Sequence, residues 1–395
     1  MFMIAPPFWG GVAGPPPPDP GTITIGSVTV APFSTLNMVA AQVDSTRVVV
    51  FFQNLADNKA SAVVVADAGG GAVSWKTVVP VSSGVGSVLL LGMEVLDAGA
   101  GTYMGFYSAS NVIYSRIFSV SGDVVTVTGT EDIVADTSTI IGSTSLAPYR
   151  GCVMGVSSAA CVFANNANVY AARFGSISGG TTTWGGTTLL DATINTPMGQ
   201  GSRLLPTGAG SVVMFANKAF DNTLYVTEIS SGSASALFTP VVAADRVLYN
   251  LASSTPGAMA RLGATLYALM CRTDPGAGIY CTRAVVSSGV SSFSNNNVTP
   301  NLLSAGPYVI PPETTGMMVA APSMSSLLHI SRSGTTWWGG IMGVSGNINM
   351  AGDTIALTPS GASSAVPGAA FLGGGKFIMV WSASGVMRGQ VCALS

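Results

Sequence analysis

The chain has 395 residues, of which only 8% are Asp, Glu, Lys or Arg, and its formal net charge is −2. Ordinary soluble domains carry about 25% charged residues, and the few basic residues are spread along the chain, so a basic surface for nucleic acid is excluded. Coiled coils and helical bundles are excluded by the 49 glycines and the scarcity of Glu and Lys. The 48% hydrophobic content excludes general disorder and predicts a β-rich globular protein with an ample core.

Residues 1–20 form a segment of their own at the N-terminus. Glycines at 10, 11 and 14 precede Pro15 to Pro18, which favour an extended polyproline spacer of about 3.1 Å per residue. We expect residues 1–20 to be a docking arm that inserts into a groove on a neighbouring subunit, with aromatic anchors. Folding back onto the chain's own surface is the alternative. The expected partner-binding residues are Phe2, Met3, Ile4, Phe8 and Trp9.

The sequence indicates the cellular compartment through its N-terminus, its apolar runs and its cysteines. The apolar N-terminal segment lacks the basic residues that begin a secretory signal peptide and is interrupted by two prolines. We therefore do not expect a signal peptide. The sequence has no uninterrupted apolar run long enough for a membrane span, so none is expected. The five cysteines are too sparse for a disulfide framework, and we expect them to be small buried hydrophobes made in a reducing cytosol.

A unit of four short strands repeats along the chain. Its clearest part is a strand with a tyrosine, followed by Ser-Gly and a further strand, and the closing residues of successive units recur at a nearly constant spacing. These closing residues are Gly70, Gly122, Gly179, Gly232, Gly289, Gly346 and Ser395. Four antiparallel strands per unit, the first rich in small residues, predict an all-β fold, a seven-bladed β-propeller.

The two ends of the chain predict how this ring closes. The last unit stops at Ser395, where its fourth strand should begin, and the stretch from Gly21 has the alternating threonines of the fourth strand after Gly122. Residues 21–30 are therefore expected to complete the last blade and remove its exposed edge. This divides the chain into an arm, 1–20, and a propeller, 21–395.

No set of residues for catalysis, a metal or a cofactor is evident. The only histidine, His329, lies in an apolar strand, where a structural role is favoured, and metal, phosphate and dinucleotide motifs are absent. Glu131, Asp132 and Asp136 are close in sequence, and we place them on a solvated loop rather than in a calcium loop. We therefore expect a protein that is not an enzyme.

Two sets of arginines recur at fixed positions in the units. The first set lies at an almost constant distance before the closing glycine of its unit and consists of Arg150, Arg203 and Arg261. At the start of innermost strands they would gather at one end of the axial channel and bind an anion; pairing with local acids or carbonyls is the alternative. The second set lies much nearer to the closing glycine, is expected to be structural, and consists of Arg116, Arg173 and Arg283.

A charge-poor, all-β chain rich in Ala, Gly, Ser, Thr and Val resembles bacteriophage virion proteins of the tail tip, tail fibre or capsid decoration. The resemblance lies in composition and architecture, so it assigns no residue a role. It implies a structural protein of the virion, made in the host cytoplasm, whose partners are other virion proteins or copies of itself, and a host glycan or receptor where it faces the host.

A glycan-binding propeller is the alternative function. Trp184, Trp337 and Trp338 would then stack on sugar rings, whereas packing within or between sheets is the other use of such residues. Strong sugar binding by the monomer on a glycan array would favour the lectin.

Overall fold

Every regular element of the structure is a β-strand. The computed structural model describes residues 23–84, 88–110, 112–136, 150–164, 170–190, 204–208, 210–217, 224–231, 236–240, 242–243, 246–247, 258–261, 266–272, 279–287, 290–293, 316–320, 326–333, 335–343, 349–350, 355–358, 361–362 and 367–394. Within these ranges there is no helix long and apolar enough to cross a membrane. The predicted all-β class is confirmed.

The described residues form 33 strands. The first ten are β1 (Ile23–Ile25), β2 (Thr29–Gln42), β3 (Arg47–Asn54), β4 (Lys59–Gly69), β5 (Ala72–Trp75), β6 (Val79–Pro80), β7 (Val88–Asp97), β8 (Thr102–Ala109), β9 (Val112–Ser121) and β10 (Val124–Ala135). The next eleven are β11 (Arg150–Gly155), β12 (Ser158–Ala164), β13 (Tyr170–Ser178), β14 (Thr181–Trp184), β15 (Thr188–Leu189), β16 (Leu205–Gly208), β17 (Ser211–Asn217), β18 (Leu224–Ser230), β19 (Ala236–Pro240), β20 (Val242–Ala243) and β21 (Arg246–Val247). The remaining strands are β22 (Ala258–Arg261), β23 (Leu266–Arg272), β24 (Ile279–Ser287), β25 (Val290–Phe293), β26 (Gly316–Ala320), β27 (Ser326–Ser333), β28 (Thr336–Gly343), β29 (Asn349–Met350), β30 (Ile355–Ala356), β31 (Gly368–Phe371), β32 (Lys376–Ala383) and β33 (Val386–Leu394).

Consecutive strands pair into antiparallel units that follow one another along the chain. Units one to three are β2–β5 with β6, β7–β10, and β11–β14 with β15. Units four to six are β16–β19, β22–β25, and β26–β29 with β30, and unit seven contains β31, β32 and β33. Strands β20 and β21 form a separate two-stranded pair. The four-strand repeat predicted from the glycine spacing thus appears as hydrogen-bonded sheets.

The units pack face to face. Their first strands lie beside one another in the pairs β31 and β2, β2 and β7, β7 and β11, β11 and β16, β22 and β26, and β26 and β31. Buried apolar clusters lie between consecutive units: one joins Phe51 of unit one to Phe118 of unit two, and another joins Phe106 of unit two to Phe163 of unit three. The core is therefore divided among the junctions.

The N-terminal strands lie against the last strand of the chain. β1 pairs with β33, with Ile25 opposite Cys392, and the first half of β2 also pairs with β33, as far as Ser34. The second half of β2 pairs with β3. The segment that adds to unit seven therefore extends beyond residue 30, the boundary expected from the sequence, because β2 runs on from unit seven into unit one.

Candidate functional site

Units two, three and five place a polar side chain at the same level of their first strands. The strand pairing shows the common level. In each unit, the recurring arginine of the third strand is paired with a residue of the second strand. That residue is paired in turn with one of the first strand. These rows are Arg116–Gly105–Met93, Arg173–Cys161–Gly151 and Arg283–Ala268–Ala260. The residues that follow on the first strands are Glu94, Cys152 and Arg261. We call these three residues the axial site.

Glu94 and Arg261 both act on Cys152. Glu94 and Arg261 are half-buried, whereas Cys152 is 0% exposed. Burial raises the pKa of the Cys152 thiol well above its ordinary value, the negative charge of Glu94 raises it further, and the positive charge of Arg261 opposes both. A carboxylate, a guanidinium and a buried thiol from units that are separate in sequence are therefore close enough to interact electrostatically.

The structure brings one of the three predicted anion-binding arginines to this site. Arg261 belongs to it, and Arg150 begins β11 two residues before Cys152. The side chain of Arg150 and the whole of Arg203 lie outside the described residues, so their grouping with Arg261 stays a prediction. Sequence reasoning missed Glu94, although its spacing from Gly122 is the same as that of Arg261 from Gly289.

Two arginines of the second set, Arg116 and Arg173, have the structural role expected for them. Arg116 donates from Nη1 to the carbonyl oxygen of Val81 in unit one, at 2.7 Å, and from Nε to that of Gly129 in its own unit, at 3.1 Å. Arg173 makes the same pair of bonds, to Val134 of unit two at 2.5 Å and to Gly185 at 2.7 Å. We call this bond to the preceding unit a clasp. The side chain of Arg283 is not among those described.

Unit seven has a clasp without a charge. The amide nitrogen Nε2 of Gln390 donates to the carbonyl oxygen of Leu357 in unit six. The next residue, Thr358, accepts a hydrogen bond from the backbone N–H of Trp337 at 2.9 Å. Ser82, the residue after Val81, likewise accepts a hydrogen bond at its hydroxyl from the backbone N–H of Ala60, at 3.0 Å. The clasped carbonyl thus lies in a recurring local structure.

Two of the three acidic residues after the second repeat lie in a strand, so the expected loop is wrong for Glu131 and Asp132, whereas Asp136 follows the end of β10. Glu131 and Asp132 belong to β10, which continues past Gly129 because an irregularity between Val127 and Glu131 shifts the pairing register. Asp132 accepts a hydrogen bond from the backbone N–H of Thr182 in unit three at 2.6 Å. Among the described residues, no group of three or more His, Cys, Asp or Glu is arranged to hold a metal.

Glu131 ties unit two back to unit one. It accepts hydrogen bonds from the backbone N–H of Ser83, at 3.0 Å, and from the hydroxyls of Ser83 and Tyr107. Burial alone would raise the pKa of Glu131, but these hydrogen bonds and the charge of Arg116 lower it below its ordinary value. The carboxylate is therefore held in its charged form at the junction.

Two of the three tryptophans considered for sugar binding take part in packing. Trp184 donates from its indole nitrogen to the Ser115 hydroxyl at 3.1 Å, and its ring meets the edge of Phe106 with centroids 6.3 Å apart. Trp337 is 0% exposed, and Trp338 is half-buried. The apolar N-terminal set, Phe2, Met3, Ile4, Phe8 and Trp9, lies outside the described residues.

Comparison with known proteins gives structural likenesses alone. No family model and no curated protein matches the sequence. A protein of unknown function from Dyadobacter fermentans has a TM-score of 0.47 at 10% identity, covering 94% of this chain and 99% of that one. The six-bladed fucose-recognising lectin of Aleuria aurantia has a TM-score of 0.46 at 11% identity, covering 85% and 100%. A Hadza microbial sialidase has 0.47 at 10% identity, covering 87% and 75%. Likenesses of this size do not assign a function.

Proposed function

We propose that this protein is a seven-bladed β-propeller that serves as a rigid binding scaffold and not as an enzyme. The observation that supports this proposal is that charged side chains at the junctions of units one to three form structural hydrogen bonds. Arg116 and Arg173 clasp the preceding units, and Glu131 and Asp132 bond to the units on either side. The series of four-stranded units with neighbouring first strands supports the propeller arrangement.

The blade count and the scaffold role are tested separately. An experimental structure of the full chain should show seven blades around one axis, and six or eight would contradict the proposed count. For the role, we expect the purified protein to turn over none of a panel of chromogenic glycosides, sialosides and esters. Turnover that is lost on mutation of residues at the axial site would refute the scaffold role.

We further propose that the scaffold belongs to a phage virion and attaches through the arm at residues 1–20. The low charge of the chain and the five apolar residues that precede the Pro-rich spacer support this. Deleting residues 1–14, upstream of the strands that pair with β33, should leave a soluble folded protein that no longer joins the particle. Replacing the five apolar residues by serine at full length is the matched control and should give the same loss. Incorporation of either variant at full occupancy would refute the docking arm.

A glycan-binding propeller is the second candidate, and Trp338 is the observation that favours it. Trp338 is half-buried, whereas Trp337 beside it is 0% exposed. A glycan array with the monomer tests this function, with Trp338→Ala as the variant and Trp184→Phe as the control. Sugar binding that Trp338→Ala alone removes would establish the lectin, and an array without binding would eliminate it.

We also propose that Arg150, Arg203 and Arg261 bind a small anion where they meet. The test is the triple replacement of Arg150, Arg203 and Arg261 by Gln, with inorganic sulfate and phosphate as the probes. We expect an unchanged fold and a loss of anion-dependent stabilisation. A variant that fails to fold, or one that keeps the stabilisation, would remove the site.

A further inference from the structure

Unit four contains a buried carboxylate surrounded by hydroxyl groups. Glu228, on the third strand, faces Thr207 of the first strand and Ser211 at the start of the second. Its Oε1 lies 3.2 Å from the Ser211 hydroxyl and 3.4 Å from the Thr207 hydroxyl, and the two hydroxyl oxygens also contact each other. Four side-chain oxygens therefore converge beneath the hairpin that joins the first two strands of the unit.

Nothing described at this position balances the charge. Glu228 is 6% exposed, and its second oxygen, Oε2, is buried without a hydrogen-bond partner. No ion pair of the described residues includes Glu228. Burying an ionised carboxylate costs several kcal/mol unless it is paired, hydrogen-bonded or bound to a metal. The two hydroxyls supply at most two protons, and neither reaches Oε2.

Among the described residues, Oε2 of Glu228 has no hydrogen-bond partner, and the hydroxyls of Thr207 and Ser211 contact Oε1 instead. A cation bound at the oxygens compensates the charge and satisfies Oε2 together.

We propose that Glu228, Thr207 and Ser211 form a binding site for a hard cation, with Ca²⁺ as the best match. Ca²⁺ takes six to eight oxygen ligands from carboxylates, neutral oxygens and water. The carboxylate and the two hydroxyls provide up to four, and water completes the shell, since Thr207 and Ser211 are half-buried and open to solvent on one side. With one formal negative charge, the site should bind Ca²⁺ weakly, with Kd on the order of 10⁻⁴–10⁻³ M.

The consequence for the protein is a metal-dependent hairpin. The cation would join the first, second and third strands of unit four at one end, and so stabilise the folded chain by binding only the native state. This role is separate from the scaffold function, which needs no metal.

The experiment is thermal unfolding of the full chain, titrated with CaCl₂ or MgCl₂ after treatment with EDTA, at matched ionic strength. We expect Ca²⁺ to raise Tm in a saturable manner, with a midpoint in the range of that Kd. Equilibrium dialysis with radioactive Ca²⁺ should show binding that Glu228→Gln abolishes. In EDTA, Glu228→Gln should be at least as stable as the wild type, because the amide carries no charge. Ser211→Ala should keep a weakened response, and the control Asp57→Asn the full one.

Two results would overturn the proposal. The first is a wild-type Tm that Ca²⁺ leaves unchanged while Glu228→Gln is the more stable protein, which would show that no cation compensates the carboxyl group. The second is a Ca²⁺ response that Glu228→Gln retains, which would place the bound ion elsewhere.

Discussion

The junction between units seven and one differs from the junction between units two and three in what holds it. At the former, backbone hydrogen bonds cross the boundary: β1 and the first half of β2 pair with β33, and β2 then continues into unit one. At the latter, no backbone-to-backbone hydrogen bond of the described residues crosses the boundary. Side chains cross it instead, among them Phe106 against Gly151, Trp184 onto Ser115, and Arg173 onto Val134. One junction is part of the sheet itself, and the other is an interface between two complete sheets.

This difference indicates which losses the fold can tolerate. Removing one side chain at an interface between complete sheets leaves each sheet paired, so the cost is local. Removing the strands that pair with β33 leaves a hydrogen-bonding edge open, and open edges associate with other chains. We therefore expect the effects to rank from the shared strand, through apolar packing, to the polar clasps.

The clasps allow a finer comparison. Arg116 bonds the carbonyl of Val81 with a guanidinium, whereas Gln390 bonds the equivalent carbonyl of Leu357 with a neutral amide. Both carbonyls belong to residues that are almost fully buried. What the two junctions share is a donor for a buried carbonyl, so charge is not the requirement.

The largest effect is expected from removing the N-terminal strand. Deletion of residues 21–30 should cause aggregation rather than a modest loss of stability, because the edge of β33 becomes unpaired. Sedimentation and melting of the purified protein measure this, and deletion of residues 1–14 is the control that keeps the strand. A truncated chain that stays monomeric with an unchanged melt would show that the shared strand is dispensable.

A large effect is also expected at Gly151. A Cβ there would lie 2.2 Å from the ring of Phe106, so Gly151→Ala should lower the free energy of unfolding by about 1–3 kcal/mol or more through overpacking. Gly155→Ala, in the same strand but with no atom within 4 Å of the added Cβ, should stay within about 0.5 kcal/mol of wild type. Equal losses for the two variants in urea unfolding would contradict the assigned contact.

A smaller effect is expected at the clasps. Substitutions there show whether the buried carbonyl needs a charged donor or any hydrogen-bond donor. Arg116→Leu leaves the buried carbonyl of Val81 without its donor and should cost about 1–3 kcal/mol. Arg116→Gln should recover part of this loss, because unit seven uses a glutamine in the same place. Gln390→Leu should cost a similar amount to Arg116→Leu. If Arg116→Gln proves as costly as Arg116→Leu, the charge is essential in unit two after all.

The smallest effect is a dependence on pH through Glu131. Its pKa is lower in the folded protein than the ordinary value of 4.5, so the unfolded chain takes up a proton first as the pH falls. The stabilisation is thus complete above that ordinary value and is lost as the pH falls through the lowered pKa. Glu131→Gln should flatten this part of the curve of stability against pH, and an unchanged acid limb would contradict the role given to the carboxylate.

Local patterns in the sequence predicted most of the architecture. The closing glycines that the structure describes, Gly70, Gly122 and Gly179, lie in hairpins between paired strands. The spacing of Arg116 and Arg173 also indicated their structural role. Their acceptors could not be predicted, because a backbone carbonyl such as that of Val81 has no sequence signature and becomes special only when a neighbouring unit buries it.

The expectations that were wrong or incomplete depend on contacts between units. The sequence predicts Glu131 and Asp132 on a solvated loop, whereas an irregularity in the pairing register lets β10 continue through both residues. Glu94 is a lone acid in an apolar strand, and the strand register places it at the same level of its unit as Arg261. In both cases, the position of the residue depends on strand pairing that is known only from the structure.

The most direct test of closure is a single cross-link between the two ends of the chain. Ile25 lies opposite the native free thiol of Cys392 in the pairing of β1 with β33. Ile25→Cys should therefore form a disulfide with Cys392 on mild oxidation, seen as one linked peptide by mass spectrometry and as a higher Tm than that of the reduced protein. Val28→Cys, outside the paired positions, should not link to Cys392. Failure of Ile25→Cys to link in the folded protein, or equal linking by Val28→Cys, would contradict closure of the last unit by the N-terminal strand.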